Sequence, residues 1–141
     1  MYSAYLAAII LLTLGVAGPL ASDEANAGLT IKVDISSKRM RVIVDRKVRY
    51  TWTVATGPGR MTRPGTFGVQ SLDADHYSSK YANEPMPHSI FYDGNRAVHG
   101  TSKNLAGHQT HGCIALSRRN AQTLFELVRQ NARSATIIVE R

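Results

Sequence analysis

Apolar and polar residues alternate along much of this chain. Leu29-Thr30-Ile31-Lys32-Val33-Asp34-Ile35 places an apolar side chain at every second position, the period of a strand with one buried and one wet face. After the polar turn Ser36-Ser37-Lys38-Arg39 the pattern resumes from Met40 to Asp45. Lys47 to Thr56 follows a short turn and is rich in β-branched and aromatic residues. An antiparallel meander is the simplest arrangement of these three strands. Gly57-Pro58-Gly59 and Pro64-Gly65 bracket an irregular stretch, and a further strand is expected over Thr66 to Leu72. Asp73 to Pro87 is polar, interrupted by proline and aperiodic. It reads as a long connection, a kind of segment that often carries function. Short strands are expected at Ser89 to Tyr92 and Arg96 to His99, separated by Asp93-Gly94-Asn95.

The period changes only once. Ser117 is suited to cap a helix, and Ala121, Leu124, Phe125 and Val128 recur at three- and four-residue spacing, one apolar stripe facing a core. A last strand, Ala135 to Val139, closes the pattern. The expected fold is mainly β: a compact β-sandwich-like sheet domain with one packed α-helix, after an N-terminal signal peptide.

The leader has its own composition. Met1 to Leu20 contain no charged side chain, and Leu6 to Leu14 is an apolar run suited to a signal-peptide core. Gly18-Pro19 breaks the run, and Ala25-Asn26-Ala27 fits the small-x-small cleavage pattern, so residues 1–27 are expected to be removed and residues 28–141 to form one domain. Because MYSAY carries no Lys or Arg before the apolar run, an uncleaved membrane anchor is the alternative. Either way the domain is expected outside the cytoplasm, in the periplasm or at the cell wall. Of the ten acidic residues two lie in the leader, leaving 17 basic against eight acidic and a formal charge of +9. Such a charge suits an anionic environment, and export argues against nucleic acid. The basic residues come singly or in pairs, so a merely soluble charged surface explains them as well as a binding face does.

Cys113 is the only cysteine. In an oxidising compartment structural cysteines pair, so a lone one is buried and inert, bonded to another chain, or kept for its reactivity. His99, His108 and His111 stand close by in sequence, with Gly112 adjacent. A thiol acts as a nucleophile at neutral pH when a neighbour takes its proton, and imidazole is the usual neighbour. Two other readings stay open. The same residues are enough nitrogen and sulfur ligands for a zinc ion, although no C-x-x-C or H-E-x-x-H spacing supports one. A non-enzymatic wall-binding module would use the basic surface without needing the thiol.

His99-Gly100-Thr101, Thr110-His111-Gly112-Cys113-Ile114, the following Leu116-Ser117 with Asn120-Ala121, Gly65-Thr66-Phe67, and Tyr81 with Met86-Pro87 together resemble the L,D-transpeptidase catalytic (YkuD-type) domain family from about Leu29 to Glu140. The resemblance implies an exported enzyme that attacks the bond after the diaminopimelate of a peptidoglycan stem tetrapeptide. It forms a Cys113 thioester, releases D-Ala, and passes the acyl group to an amine. A cross-linking stem peptide, an outer-membrane protein amine, a free D-amino acid and water, the last giving carboxypeptidase or endopeptidase action, are all admissible acceptors. No cofactor and no metal is implied, and a monomer is expected.

By the same resemblance His99 is the general base, and the Gly100 carbonyl fixes its tautomer in place of the carboxylate of a Ser-His-Asp triad. The N–H groups around His111, Gly112 and Cys113 are expected to hold the oxyanion, with Gly112 permitting close backbone approach. Two roles are open to His111, bracing the loop or transferring a proton directly. Tyr81, Met86, Thr110 and Arg119 are the candidate donor contacts. Tyr81, Met86 and His88 line the donor groove or merely anchor the long loop, and His108 is expected at the surface. Trp52 and Phe67 are expected in the core. Two positions depart from the family pattern: Ala115 stands where Arg is usual, with Arg118, Arg119 or Arg96 as replacements, and Pro64 is displaced by one residue from its usual place before Gly65.

Overall fold

The computed structural model describes residues 28–141; the expected leader, 1–27, lies outside the described residues. Nine strands and one helix follow the chain as β1 (Leu29–Asp34), β2 (Arg39–Val44), β3 (Lys47–Thr53), β4 (Gly65–Gly68), β5 (Ser71–Tyr77), β6 (Pro85–Asp93), β7 (Arg96–Thr101), β8 (Ile114–Ser117), α1 (Arg118–Asn131) and β9 (Thr136–Glu140). They form a five-stranded sheet in the order β3-β2-β1-β9-β4 and a four-stranded sheet in the order β5-β6-β7-β8. The first three strands are the antiparallel meander the alternation predicts. Strand β9 joins it parallel to β1.

The buried halves of the alternating strands meet in one core. Leu29, Ile31 and Val33 of β1, Met40 and Val42 of β2, and Ile137 and Val139 of β9 pack in the same cluster as Ile90 and Tyr92 of β6, Val98 of β7, and Ile114 and Leu116 of β8. Helix α1 contributes Ala121, Leu124, Phe125 and Val128, the predicted stripe. Its N-cap is Ser117, whose hydroxyl accepts the Asn120 N–H at 3.2 Å. Trp52 and Phe67 pack against the cluster while partly exposed, and the Phe67 ring meets Tyr92 edge-on across the two sheets, centroids 5.1 Å apart.

Three expectations are corrected. The segment Thr66 to Leu72 is not one strand: β4 pairs with β9, whereas β5 pairs with β6 in the other sheet, so the chain crosses between sheets after Gly68. The long connection shrinks to residues 78–84, because Ser71–Tyr77 and Pro85–Asp93 are paired strands. Strand β5 lies at a sheet edge and is mostly exposed, so it has no apolar alternation to betray it. Pro85 and Pro87 are tolerated because β6 meets β7 only from Ile90 onward, leaving one side of that stretch unpaired. Strand β8 was not foreseen. It is four residues long and buried except at its end, and buried residues on both faces erase the period.

Leu124 is fully buried in the one cluster both sheets share. Leu124→Ala is expected to cost 2–5 kcal/mol, seen as a lower urea midpoint with an unchanged slope.

Candidate active site

Strands β7 and β8 run parallel, with Val98 opposite Ile114 and His99 opposite Ala115. This register sets Cys113, the residue before β8, beside Ala97. Cys113, Ala97 and His99 therefore share one face of the sheet. The Ala97 N–H points to Cys113 Sγ at 3.5 Å, and Sγ lies 3.9 Å from the Asn95 carbonyl. Both catalytic candidates open into one cavity of about 350 Å³, lined also by Tyr81, Glu84, Met86, Arg96 and Thr110.

The imidazole of His99 is buried, and its Nδ1 lies 2.8 Å from the Gly100 carbonyl. A carbonyl only accepts, so Nδ1 carries the proton and Nε2 is left as the base. Burial holds the His99 pKa below the usual 6.5, so the ring is neutral at pH 7. Burial likewise pushes the Cys113 thiol above its usual 9.0, against the pull of the Ala97 N–H and the Arg96 charge. The resting pair is thus a neutral thiol and a neutral imidazole. Such a thiol becomes a nucleophile only as the base removes its proton during attack.

The turn before Cys113 is braced from several sides. Thr110 Oγ1 donates to the Cys113 carbonyl at 2.6 Å and accepts the Gly112 N–H at 3.1 Å, while its own N–H reaches Thr56. Buried Thr62 donates to the Gly112 carbonyl at 2.9 Å and accepts the Gly57 N–H. Gly112 has φ +124, and a Cβ there would meet the Met61 carbonyl oxygen at 2.8 Å. Arg96 Nε donates to that same oxygen, and its guanidinium pairs with Asp93 at 3.2 Å. Gly100 is tightly packed but less constrained, since a Cβ would lie 3.1 Å from Ala121 Cβ and 3.2 Å from Arg118 Cα.

Most of the predicted residues meet here. Cys113, His99, His111, Tyr81, Met86 and Thr110 all line the cavity. The His111 ring stacks on Tyr81 with centroids 4.0 Å apart, which ties the 78–84 connection to the nucleophile turn. Of the three amides expected around the oxyanion, that of Gly112 is already engaged by Thr110 Oγ1. His108, expected at the surface, lines the cavity. His88 does not: its ring faces Phe125, 5.4 Å away. Arg119 sits exposed in the first turn of α1, outside the cavity, whereas Arg96 lies within it. Ala115 is fully buried between β7 and Ala55, with which it exchanges both backbone hydrogen bonds. Glu84 and Lys103 were not foreseen from the sequence. No motif marks them, and only chain folding brings them to the cavity. Among the described residues no three His, Cys, Asp or Glu come together to hold a metal ion.

Residues 29–139 match the family model of the L,D-transpeptidase catalytic domain, YkuD. The chain belongs to this family. The L,D-transpeptidase fold is that of a Stackebrandtia nassauensis L,D-transpeptidase, with TM-score 0.72 and 24% identity over 81% of this chain and 56% of that one. A Mycobacterium smegmatis L,D-transpeptidase is similar at TM-score 0.71 and 22% identity, over 82% of this chain and 59% of that one. L,D-transpeptidase 3 from Mycobacterium tuberculosis, in complex with a faropenem-derived adduct, gives TM-score 0.69 and 16% identity over 80% and 60%. The match thus spans about three-fifths of those solved chains. No curated protein matches the sequence.

The neutral pair fixes a pH dependence for this transpeptidase-family site. As pH falls, protonating His99 removes the base, so the acid limb of thiol acylation is expected below pH 6.5. Measuring acylation rate against pH checks it. Gly112→Ala forces a Cβ against Met61 at a positive φ, and is expected to cost about 1–3 kcal/mol and to slow Cys113 alkylation by iodoacetamide.

Proposed function

We propose that this protein is an exported, cysteine-dependent L,D-transpeptidase acting in the periplasm or at the cell wall on peptidoglycan stem tetrapeptides. The observation that carries the reading is the shared cavity of Cys113 and an imidazole whose Nδ1 is held by the Gly100 carbonyl, within a chain of this family. The readings as a non-catalytic wall-binding module or a zinc-binding module have no comparable support.

In this mechanism Sγ attacks the carbonyl of the amide before D-Ala as His99 Nε2 takes the thiol proton. The His111 and Cys113 N–H groups stabilise the oxyanion, each such donor being worth about 3 kcal/mol in related chemistry. The imidazolium then gives its proton to the departing amine of D-Ala, leaving a thioester on Cys113. The basic surface of the mature chain favours association with an anionic wall polymer. Tyr81 and Met86 form the groove wall beside the thiol, and Arg96 supplies the positive charge facing the donor's carboxylates. Transfer to an amine completes the cycle, with stem peptides or protein amines as acceptors. Water would give carboxypeptidase action.

Intact-mass measurement with disaccharide-tetrapeptide or a carbapenem is expected to show one adduct, absent from Cys113→Ala. An adduct of equal yield on that variant removes Cys113 from the mechanism. His99→Gln is expected to slow acylation by at least about 10²-fold. Arg119→Ala is expected to leave kcat/KM unchanged and Arg96→Ala to lower it by about 10-fold or more, the scale of a lost hydrogen bond to a charged group. Ala115→Arg, which forces a charge into a fully buried position, is expected to destabilise the fold rather than improve donor use.

A further inference from the structure

Basic residues that stand singly or in pairs along the sequence are gathered by the fold onto one hairpin. Residues 38–49, which run through β2 into the start of β3, carry Lys38, Arg39, Arg41, Arg46, Lys47 and Arg49 against one acidic residue, Asp45. Arg41, Lys47 and Arg49 are exposed and have no ion pair among the described residues. Asp45 and Arg46 make the tight turn, both with positive φ, 50 and 66, the backbone a two-residue hairpin uses. A bulge follows: Val48 stands opposite Ile43 and Tyr50 opposite Val42, so Arg49 is the extra residue. Ile43 and Val42 point to opposite faces of the sheet, and Val48 and Tyr50 therefore project from the two sides of one hairpin end. They are 53% and 37% exposed, and the Tyr50 ring is stacked on that of half-buried Trp52, centroids 4.8 Å apart.

Strand β3 lies at the edge of its sheet. Charges on an edge strand keep sheets from pairing, which accounts for Lys47 and Arg49. It does not account for an aliphatic and an aromatic side chain held in water beside them. Cations interleaved with apolar and aromatic groups suit a partner that is anionic at its surface and apolar just beneath, which is a bilayer containing acidic phospholipid. A wall polymer offers the charge without the apolar layer. The course of the chain points the same way. The Gly28 carbonyl accepts the Asp45 N–H at 3.0 Å, so the upstream segment, with its apolar run Leu6 to Leu14, joins the domain at this hairpin end.

We infer that the β2–β3 hairpin end, Lys47 to Tyr50, docks the domain on an anionic phospholipid surface. Lys47 and Arg49 meet lipid phosphates, Arg41 behind them adds to the attraction, and Val48 and Tyr50 enter the headgroup boundary. The other end of β3 leads toward the thiol, since the Thr56 carbonyl accepts the Thr110 N–H of the nucleophile turn. The seven residues of β3 rise about 3.3 Å each, which separates the docked end from the active-site end by about 20 Å. A domain held this way keeps its catalytic cavity clear of the lipid.

The test reads binding and not catalysis, so its failure leaves the transpeptidase reading untouched. The full chain is mixed with vesicles of phosphatidylcholine, or of phosphatidylcholine and phosphatidylglycerol in equal parts, and the bound fraction is measured by sedimentation. Binding to the mixed vesicles is expected to be at least about ten-fold tighter, and the gain to fade as salt rises. Lys47→Glu with Arg49→Glu should lose about ten-fold or more of that affinity, and Lys47→Gln with Arg49→Gln should fall between it and the parent. Val48→Ser with Tyr50→Ser should weaken binding while the salt dependence stays. Arg119→Glu with Arg133→Glu, the same change in net charge away from the hairpin, should bind as the parent does. Every variant is compared at an unchanged urea midpoint. If the parent binds both vesicles alike, if the hairpin variants bind as well as the parent, or if the Arg119 and Arg133 pair loses as much as they do, the assignment is overturned in favour of the leader or of net charge alone. It is overturned equally if reversing Lys47 and Arg49 abolishes binding to isolated peptidoglycan but not to vesicles, which gives the hairpin to the wall polymer, or disperses a dimer, which gives it to a second copy of the chain.

Discussion

The parallel pairing of β7 with β8 is the constraint on which the site depends. Parallel neighbours cannot be joined by a tight hairpin, so the chain must leave the sheet after Thr101 and return at Ile114. The crossing segment carries the nucleophile turn. Because side chains alternate across a strand, a one-residue slip in this register would turn Cys113 to the opposite face from His99. The core guards the register: Val98, Ile114 and Leu116 are buried in the cluster shared with α1 and the larger sheet. The bridge from Ala55 to Ala115 fastens β8 from its other side. Packing energy far from the thiol thus fixes which side chains meet at it.

Within that frame, the geometry of the candidate site is held by neutral groups. A peptide carbonyl orients His99, and burial keeps both the imidazole and the thiol uncharged at rest. No thiolate has to be stored in a partly desolvated site, where an unpaired charge is costly. Two threonine hydroxyls, Thr62 and Thr110, take up the backbone groups of the turn that β-pairing cannot reach. Glycine is required at Gly112, where a Cβ would strike the Met61 carbonyl, and it lets Gly100 pack closely on the start of α1.

The strands whose two faces differ in environment were legible. β1, β2 and β9 bury one face each, and α1 buries one stripe, so their periods survive in the sequence. β8 is buried on both faces and β5 is mostly exposed, so neither leaves a period to read. The candidate residues Cys113 and His99 and the glycines near them stood out in the sequence for a different reason. Their chemistry needs particular residue types packed closely in the chain. Glu84 and Lys103 are ordinary surface types in the sequence, and they line the cavity only because distant segments converge.

The sequence by itself determined a mainly β domain with one amphipathic helix and singled out Cys113 and His99 as the candidate pair, since each is written in local composition or period. Tertiary structure decided what these groups meet. It split Thr66 to Leu72 between two sheets, buried Ala115, left Arg119 outside the cavity and brought Arg96 into it. It also committed the Gly112 amide to Thr110 and drew His108 toward the thiol. Local patterns specify the conformation of a segment and which of its faces is dry. The direction in which an isolated charge points depends on which strands pair and in what register, and that is settled by the packing of the whole core.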